Sequence, residues 1–112
     1  PADVPPRLVV GLIDGGVDGR MPELAQVEIL RHGCGGRAVA QDHGTRVAVR
    51  LAGRARGRLY SADLWCGARV GGGALALIEA LRWMAQERVP VINISLIGPD
   101  NPALRRTVAA LH

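Results

Sequence analysis

Apolar and polar positions along this chain alternate between a strand-like and a helix-like period. Leu8 to Ile13 is a near-continuous apolar run bounded by Pro6 and by Gly15-Gly16, which predicts a strand buried on both faces. Gln26 to Leu30 predicts a shorter second strand, followed by the glycine-rich loop "HGCGG". His43 to Leu51 reads as a short helix broken at Gly53, and Leu59 to Trp65 as a third strand. In Gly73 to Arg88 the apolar residues Ala74, Leu77, Ile78, Leu81, Met84 and Ala85 share one helical face. Pro90 then opens "VINISL", a fourth strand rich in β-branched residues. Asn101 as N-cap and Pro102 at the first helical position begin a last helix, with Leu104, Val108 and Leu111 on one side.

Strands alternating with helices predict an α/β fold, a parallel sheet with helices on both faces. In such sheets functional groups collect at the carboxyl ends of strands. Asp14 stands at one such end, between the apolar run and two glycines.

Composition narrows the picture. The 112 residues are the size of one ordinary domain, and an apolar fraction of 48% is enough for a core. That core must be aliphatic, since the chain has no Phe and its aromatic residues are Trp65, Trp83 and Tyr60. No apolar run is long enough for a membrane span. The net charge of +4 rests on 14 arginines and no lysine, a bias that points to genome composition before biochemistry. The densest basic cluster, "GRARGR" from Gly53 to Arg58, has no aromatic or binding motif beside it, so it reads as a solvated loop and no nucleic-acid partner is expected. Cys34 and Cys66 permit one disulfide without demanding it; two thiols are at least as good a reading as a bridge, and neither lies in a metal-binding C-x-x-C pattern. The opening "PADVPPR", with neither an initiator Met nor a signal peptide, reads as an extended lead-in over residues 1–6 of a processed or excised piece.

Asp14 and His43 together suggest chemistry. A carboxylate that accepts a hydrogen bond from imidazole Nδ1 fixes the tautomer, and Nε2 can then take a proton from a nucleophile. Gly15 and Gly16 leave room for a ring, and Gly44 and Thr45 give a tight entry to the helix that would hold His43. Each residue alone has a plainer reading, a turn aspartate and a helix-initiating histidine.

The flanking segments favour the chemical reading. "LIDGGVDGRMPEL", then "DHGTRVA", then "VPVINISLIGP", in that order, resemble the subtilisin-like serine proteases, and the resemblance runs over essentially the whole chain. The family's strand ending in Asp-(Thr/Ser/Gly)-Gly-(Val/Ile) is matched at Asp14 to Val17, its Pro-(Asp/Glu)-Leu at Pro22 to Leu24, its His-Gly-Thr-x-Val-Ala at His43 to Ala48, and its Val-Ile-Asn-x-Ser-Leu at Val91 to Leu96. The resemblance implies that the chain is the N-terminal portion of a subtilase catalytic domain, with Asp14 orienting the base and His43 acting as general base. It implies that Ser95, Leu96, Ile97 and Gly98 flank a bound polypeptide substrate, pairing with it as an added strand. Asn93 would be structural. It further implies export, to a periplasm or outside the cell, and no cofactor.

Several departures qualify the match. Val49 and Ile97 stand where the family has small residues, usually glycine; the first would crowd the space toward the nucleophile helix and the second would re-aim the peptide. The segment "AGRARGRLY" is too short for the calcium-binding loop that many subtilases insert there, so no metal is expected. The family's nucleophile, in Gly-Thr-Ser, and its oxyanion-hole Asn do not occur; the serines here are Ser61 and Ser95. The 112 residues alone are therefore expected to be inactive, and a cut sheet edge to promote self-association.

Other classes fit less well. "LIDGG" passes for the Asp-(Thr/Ser)-Gly of dimeric retroviral-type aspartic proteases, but Gly15 lacks the bracing hydroxyl and the helical face from Ala74 to Ala85 is foreign to those proteins. "GCGGRA" mimics a G-x-G-x-x-A nucleotide turn, with no clear helix immediately after it. Asp14 with Asp18 could form a metal pair, although a turn carboxylate explains Asp18 equally. The serious rival is a catalytically incomplete subtilase-fold piece that binds peptides or forms half of a split protein.

Overall fold

A computed structural model describes residues 7–37, 39–67 and 73–95. The predicted final helix, the lead-in over residues 1–6, and Leu96, Ile97 and Gly98 lie outside the described residues.

Among the described residues, four parallel strands form one sheet in the order β2-β3-β1-β4: β1 Leu8–Asp14, β2 Val27–His32, β3 Gly57–Asp63 and β4 Ile92–Ile94. The helices of the described residues, α1 Asp42–Ala52 and α2 Ala74–Gln86, pack on it. The α/β expectation holds, with one helix on each face.

Strand alternation sorts the core. Val10 and Leu12 of β1 and Leu59 of β3 meet Ala48 and Ala52 of α1 on one face, joined by Val17 and Leu24. Ile13, Tyr60 and Ala62 meet Leu77, Ala80 and Met84 of α2 on the other. β1 is thus apolar at successive positions because both its faces are covered. Each fully buried Leu, Ile or Met contributes about 1.5–3 kcal/mol relative to exposure. Leu24 reaches the core from a short 3-10 turn, Pro22–Leu24, in the segment that reads Pro-Glu-Leu.

Several sequence expectations shift: β2 runs two residues past its predicted end at Leu30, and β4 covers only the middle of the predicted "VINISL" strand, whose Leu96 lies outside the described residues. The buried stripe of α2 is Leu77, Ala80 and Met84, while Ala85 is exposed. The helix is rotated so that Trp83 stacks on His32 at 5.0 Å between ring centres and meets Tyr60 edge-on at 5.4 Å. β3 begins and ends two residues earlier than its apolar run, because the Asp63 carboxylate takes the N–H groups of Trp65 and Cys66 and curls the chain into a turn. Finally, Cys34 and Cys66 are joined, with their Cα atoms 5.5 Å apart, which settles the choice between thiols and a bridge.

Candidate functional site

The alternation that places Val10 and Leu12 on the α1 face places Asp14 there too. Asp14 is 1% exposed, and its Oδ1 accepts the N–H of Gly15. Its backbone is fixed as well, since its carbonyl accepts the N–H of Leu64 at 2.9 Å. This carboxylate cannot wander.

His43 is the second residue of α1, and the approach of that helix determines where the ring lies. Gly44 is buried against the loop after β1: a Cβ there would stand 2.6 Å from the Gly15 carbonyl oxygen and 2.8 Å from that of Gly16. Only glycine lets the helix come so close. Thr45 ties the same loop from the helix side, its hydroxyl accepting the N–H of Asp18 at 3.0 Å. The N–H of Gln41, which precedes the helix, donates to the Gly16 carbonyl at 3.0 Å.

The result is a contact of 2.9 Å between His43 Nδ1 and Asp14 Oδ2, across 29 residues of sequence. The His43 side chain keeps 38% of its surface exposed while its partner is buried. With Nδ1 committed to the carboxylate as donor, Nε2 is the basic nitrogen of the ring. The arrangement can hold one tautomer, accept a proton at Nε2, and balance the resulting imidazolium with a buried anion.

Ser95 follows β4 and donates its N–H to the Ile13 carbonyl at 2.9 Å, which brings the start of the expected substrate-flanking segment beside the end of β1. Asn93 pairs with Leu12 in the sheet. Ser61 lies inside β3, 1% exposed, with no hydrogen-bond partner among the described residues for its hydroxyl. Neither serine is bonded to His43 among the described residues. Val49 packs against the core cluster on the α1 face.

The aspartic-protease and nucleotide-turn readings lose their structural footing. Parallel strands with covering helices are not the mostly strand architecture of a retroviral-type aspartic protease. "GCGGRA" opens with a 3-10 turn, Cys34–Gly36, held by the disulfide, so it does not lead directly into a helix. Asp18 pairs with Arg20 at 3.0 Å, and that hydrogen bond holds its carboxyl below the usual value. In "GRARGR", Arg56 bonds Gln26 and Arg58 pairs with Glu28 on the sheet.

Sequence reasoning missed one residue, Asp63. It ends β3 as Asp14 ends β1, and the two are register partners on adjacent strands. The signal was present: a second aspartate closing an apolar strand. Cys34, Asp63 and Cys66 lie close enough to suggest a metal site, but the sulfurs are bonded to each other and the carboxylate is engaged by backbone N–H groups.

No protein-family model matches the chain, and no curated protein matches it in sequence. Solved structures do. The chain is similar to the prenylagaramide maturation protease PagA (18% identity, TM-score 0.65, 89% of this chain and 40% of that one). It is also similar to a cold-adapted subtilisin-like serine proteinase (24% identity, TM-score 0.64, 90% and 41%) and to the patellamide maturation protease PatA (20%, TM-score 0.63, 90% and 43%). The fold is subtilisin-like. The chain spans well under half the length of these structures.

Proposed function

We propose that this chain is the part of a subtilisin-like serine endopeptidase domain that supplies the general base and its orienting carboxylate. The contact between His43 Nδ1 and buried Asp14 Oδ2, at the carboxyl edge of a subtilisin-like sheet, carries the reading. In the reaction, a serine from outside these residues attacks the scissile carbonyl carbon as His43 Nε2 takes its proton. His43 returns that proton to the leaving amine, and a water activated by the same nitrogen then releases the acyl group. The Asp14 carboxylate holds the ring at Nδ1 and steadies the imidazolium. Ser95 to Gly98 would lie along the polypeptide substrate. An oxyanion hole, also supplied from outside, would stabilise the tetrahedral intermediate. Export, to a periplasm or beyond the cell, accords with the disulfide, which persists in oxidising compartments.

The test compares two proteins on a fluorogenic peptide library: the 112-residue chain, and the polypeptide isolated from the native source, whose mass and C-terminal sequence are determined first. The short chain is expected to be inactive. A native polypeptide that continues into a Gly-Thr-Ser segment is expected to hydrolyse peptides and to lose that activity in His43→Ala. Hydrolysis by the short chain would overturn the division of labour. A longer polypeptide whose hydrolysis ignores His43→Ala would overturn the role of His43. A native polypeptide that lacks the nucleophile and binds peptides uncleaved would establish the alternative, a catalytically incomplete binding or split-protein piece, toward which Val49 and Ile97 lean.

A further inference from the structure

Asp63 is 3% exposed, yet among the described residues no cationic side chain is paired with it. Its carboxylate instead accepts three backbone N–H groups. Oδ1 takes those of Trp65 and Cys66, each at 2.9 Å, and Oδ2 takes that of Val39 at 3.1 Å. A buried carboxylate is tolerated only when such donors replace its water.

The three bonds converge on the segments around the Asp14–His43 pair. Two hold the turn after β3, where Cys66 stands at a φ of 50°, a left-handed conformation that a non-glycine residue adopts only when its surroundings hold it there. Across that turn the disulfide reaches Cys34, whose Sγ lies 3.6 Å from the Asp63 carbonyl oxygen. The third bond holds Val39, which leads into α1. From Val39 the chain runs through Ala40, which bridges Gly16, and Gln41, whose N–H donates to Gly16, to His43. The packing at this junction has no slack: a Cβ on Gly16 would stand 2.2 Å from the Val39 carbonyl oxygen and 3.0 Å from Asp63 Oδ2.

We propose that Asp63 is a positioning residue for the Asp14–His43 pair, anchoring the backbone that delivers His43 to the strand that carries Asp14. The role rests on the reading of His43 as general base. It requires a carboxylate specifically. Three donors meet two acceptor oxygens, and an asparagine would turn an NH2 group toward at least one of those N–H groups. With Val39 released, the entry to α1 is fixed only from the Gly16 side and the ring loses its register with Asp14.

The measurement is the imidazole Nδ1 proton of His43 in the folded 112-residue chain labelled with 15N-histidine. This proton resonates far downfield while it bridges to a buried carboxylate. The expected results are a downfield signal in the wild type, its loss in Asp14→Ala, and its loss in Asp63→Asn with an unchanged far-ultraviolet circular dichroism spectrum. Leu30→Ala, which thins the core on the opposite face, should lower the melting temperature and leave the signal in place. A mere loss of stability would therefore not imitate the result. A folded Asp63→Asn that keeps the signal overturns the positioning role and leaves the general-base reading intact. A wild type without an Asp14-dependent signal overturns both. If Asp63→Asn does not fold, Val39→Pro removes the single N–H that Oδ2 accepts; loss of the signal supports the proposal, and its persistence overturns it.

Discussion

His43 Nδ1 sits 2.9 Å from Asp14 Oδ2, with the carboxylate 1% exposed and the imidazole open on its other side. Strand alternation aims Asp14 at the α1 face, and Gly44 lets α1 approach the loop beyond it. In a polypeptide that also carries the nucleophile, Asp14→Asn should leave the fold intact. It should lower kcat by about 10⁴-fold, the order found when the orienting carboxylate of such a triad is replaced by its amide. KM should move little, since Asp14 is buried away from any substrate. Steady-state kinetics with circular dichroism as the fold control decides this; a kcat within tenfold of wild type would remove Asp14 from the machinery.

Gly44→Ala separates helix propensity from the close approach. In an exposed helix the change would stabilise by about 1 kcal/mol. Here the new methyl would stand 2.6 Å from the Gly15 carbonyl oxygen, against backbone that cannot rotate aside. Overpacking of this kind costs about 1–3 kcal/mol. Urea denaturation should therefore show net destabilisation, together with a lengthened His43–Asp14 contact. A stabilised Gly44→Ala protein would mean that the loop has more freedom than the packing suggests.

The bridge between Cys34 and Cys66 closes a loop with a sequence separation of 32. By the chain-entropy estimate it stabilises the fold by roughly 3–4 kcal/mol. Cys34→Ser/Cys66→Ser should lower the melting temperature by on the order of 10 °C. Thiol titration of the unfolded, unreduced wild type should find no free thiol. A double variant that melts with the wild type would show that Asp63 holds these turns without help from the bridge.

Much of this was legible in the residues. Alternation between periods gave the parallel α/β arrangement, and the apolar run ending at Asp14 with "DHGTRVA" gave the pair. What was not legible depends on contacts between distant segments. The stripe of α2 is rotated because Trp83 meets His32 and Tyr60, and no helical period contains that information. β3 stops at Asp63 because a side chain takes the backbone donors that would have continued the strand. The cysteines pair because two turns meet over the end of β3, whereas sequence spacing made two thiols at least as good a reading as a bridge.

Ser61 offers a stability change of opposite sign. Its hydroxyl is buried without a hydrogen-bond partner among the described residues, on the same face as Leu59 and Asp63. An unsatisfied buried hydroxyl carries a desolvation penalty of about 1–3 kcal/mol, partly offset by its packing. Ser61→Ala should thus be neutral to stabilising by about 1 kcal/mol in urea denaturation. A loss of more than that would reveal a partner for the hydroxyl, and a loss of peptide hydrolysis in the longer polypeptide would give Ser61 a role the geometry does not suggest.

The two borders of the described sheet are unlike. β2 carries charge along its length, with Glu28 paired to Arg58 and Arg31 reaching the Val17 carbonyl, a pattern that discourages edge-to-edge pairing. β4 is Ile-Asn-Ile, uncharged, pairs with β1 on one side, and has no strand on the other among the described residues. Val91 beside it is 62% exposed. Edges of this kind recruit other strands, so the 112-residue chain should associate through β4 as its concentration rises. Light scattering over a concentration series should show a growing average mass, and Val91→Lys should reduce that growth by adding a charge where the edges must meet. A monomer that persists at high concentration would mean that the border of β4 is already covered.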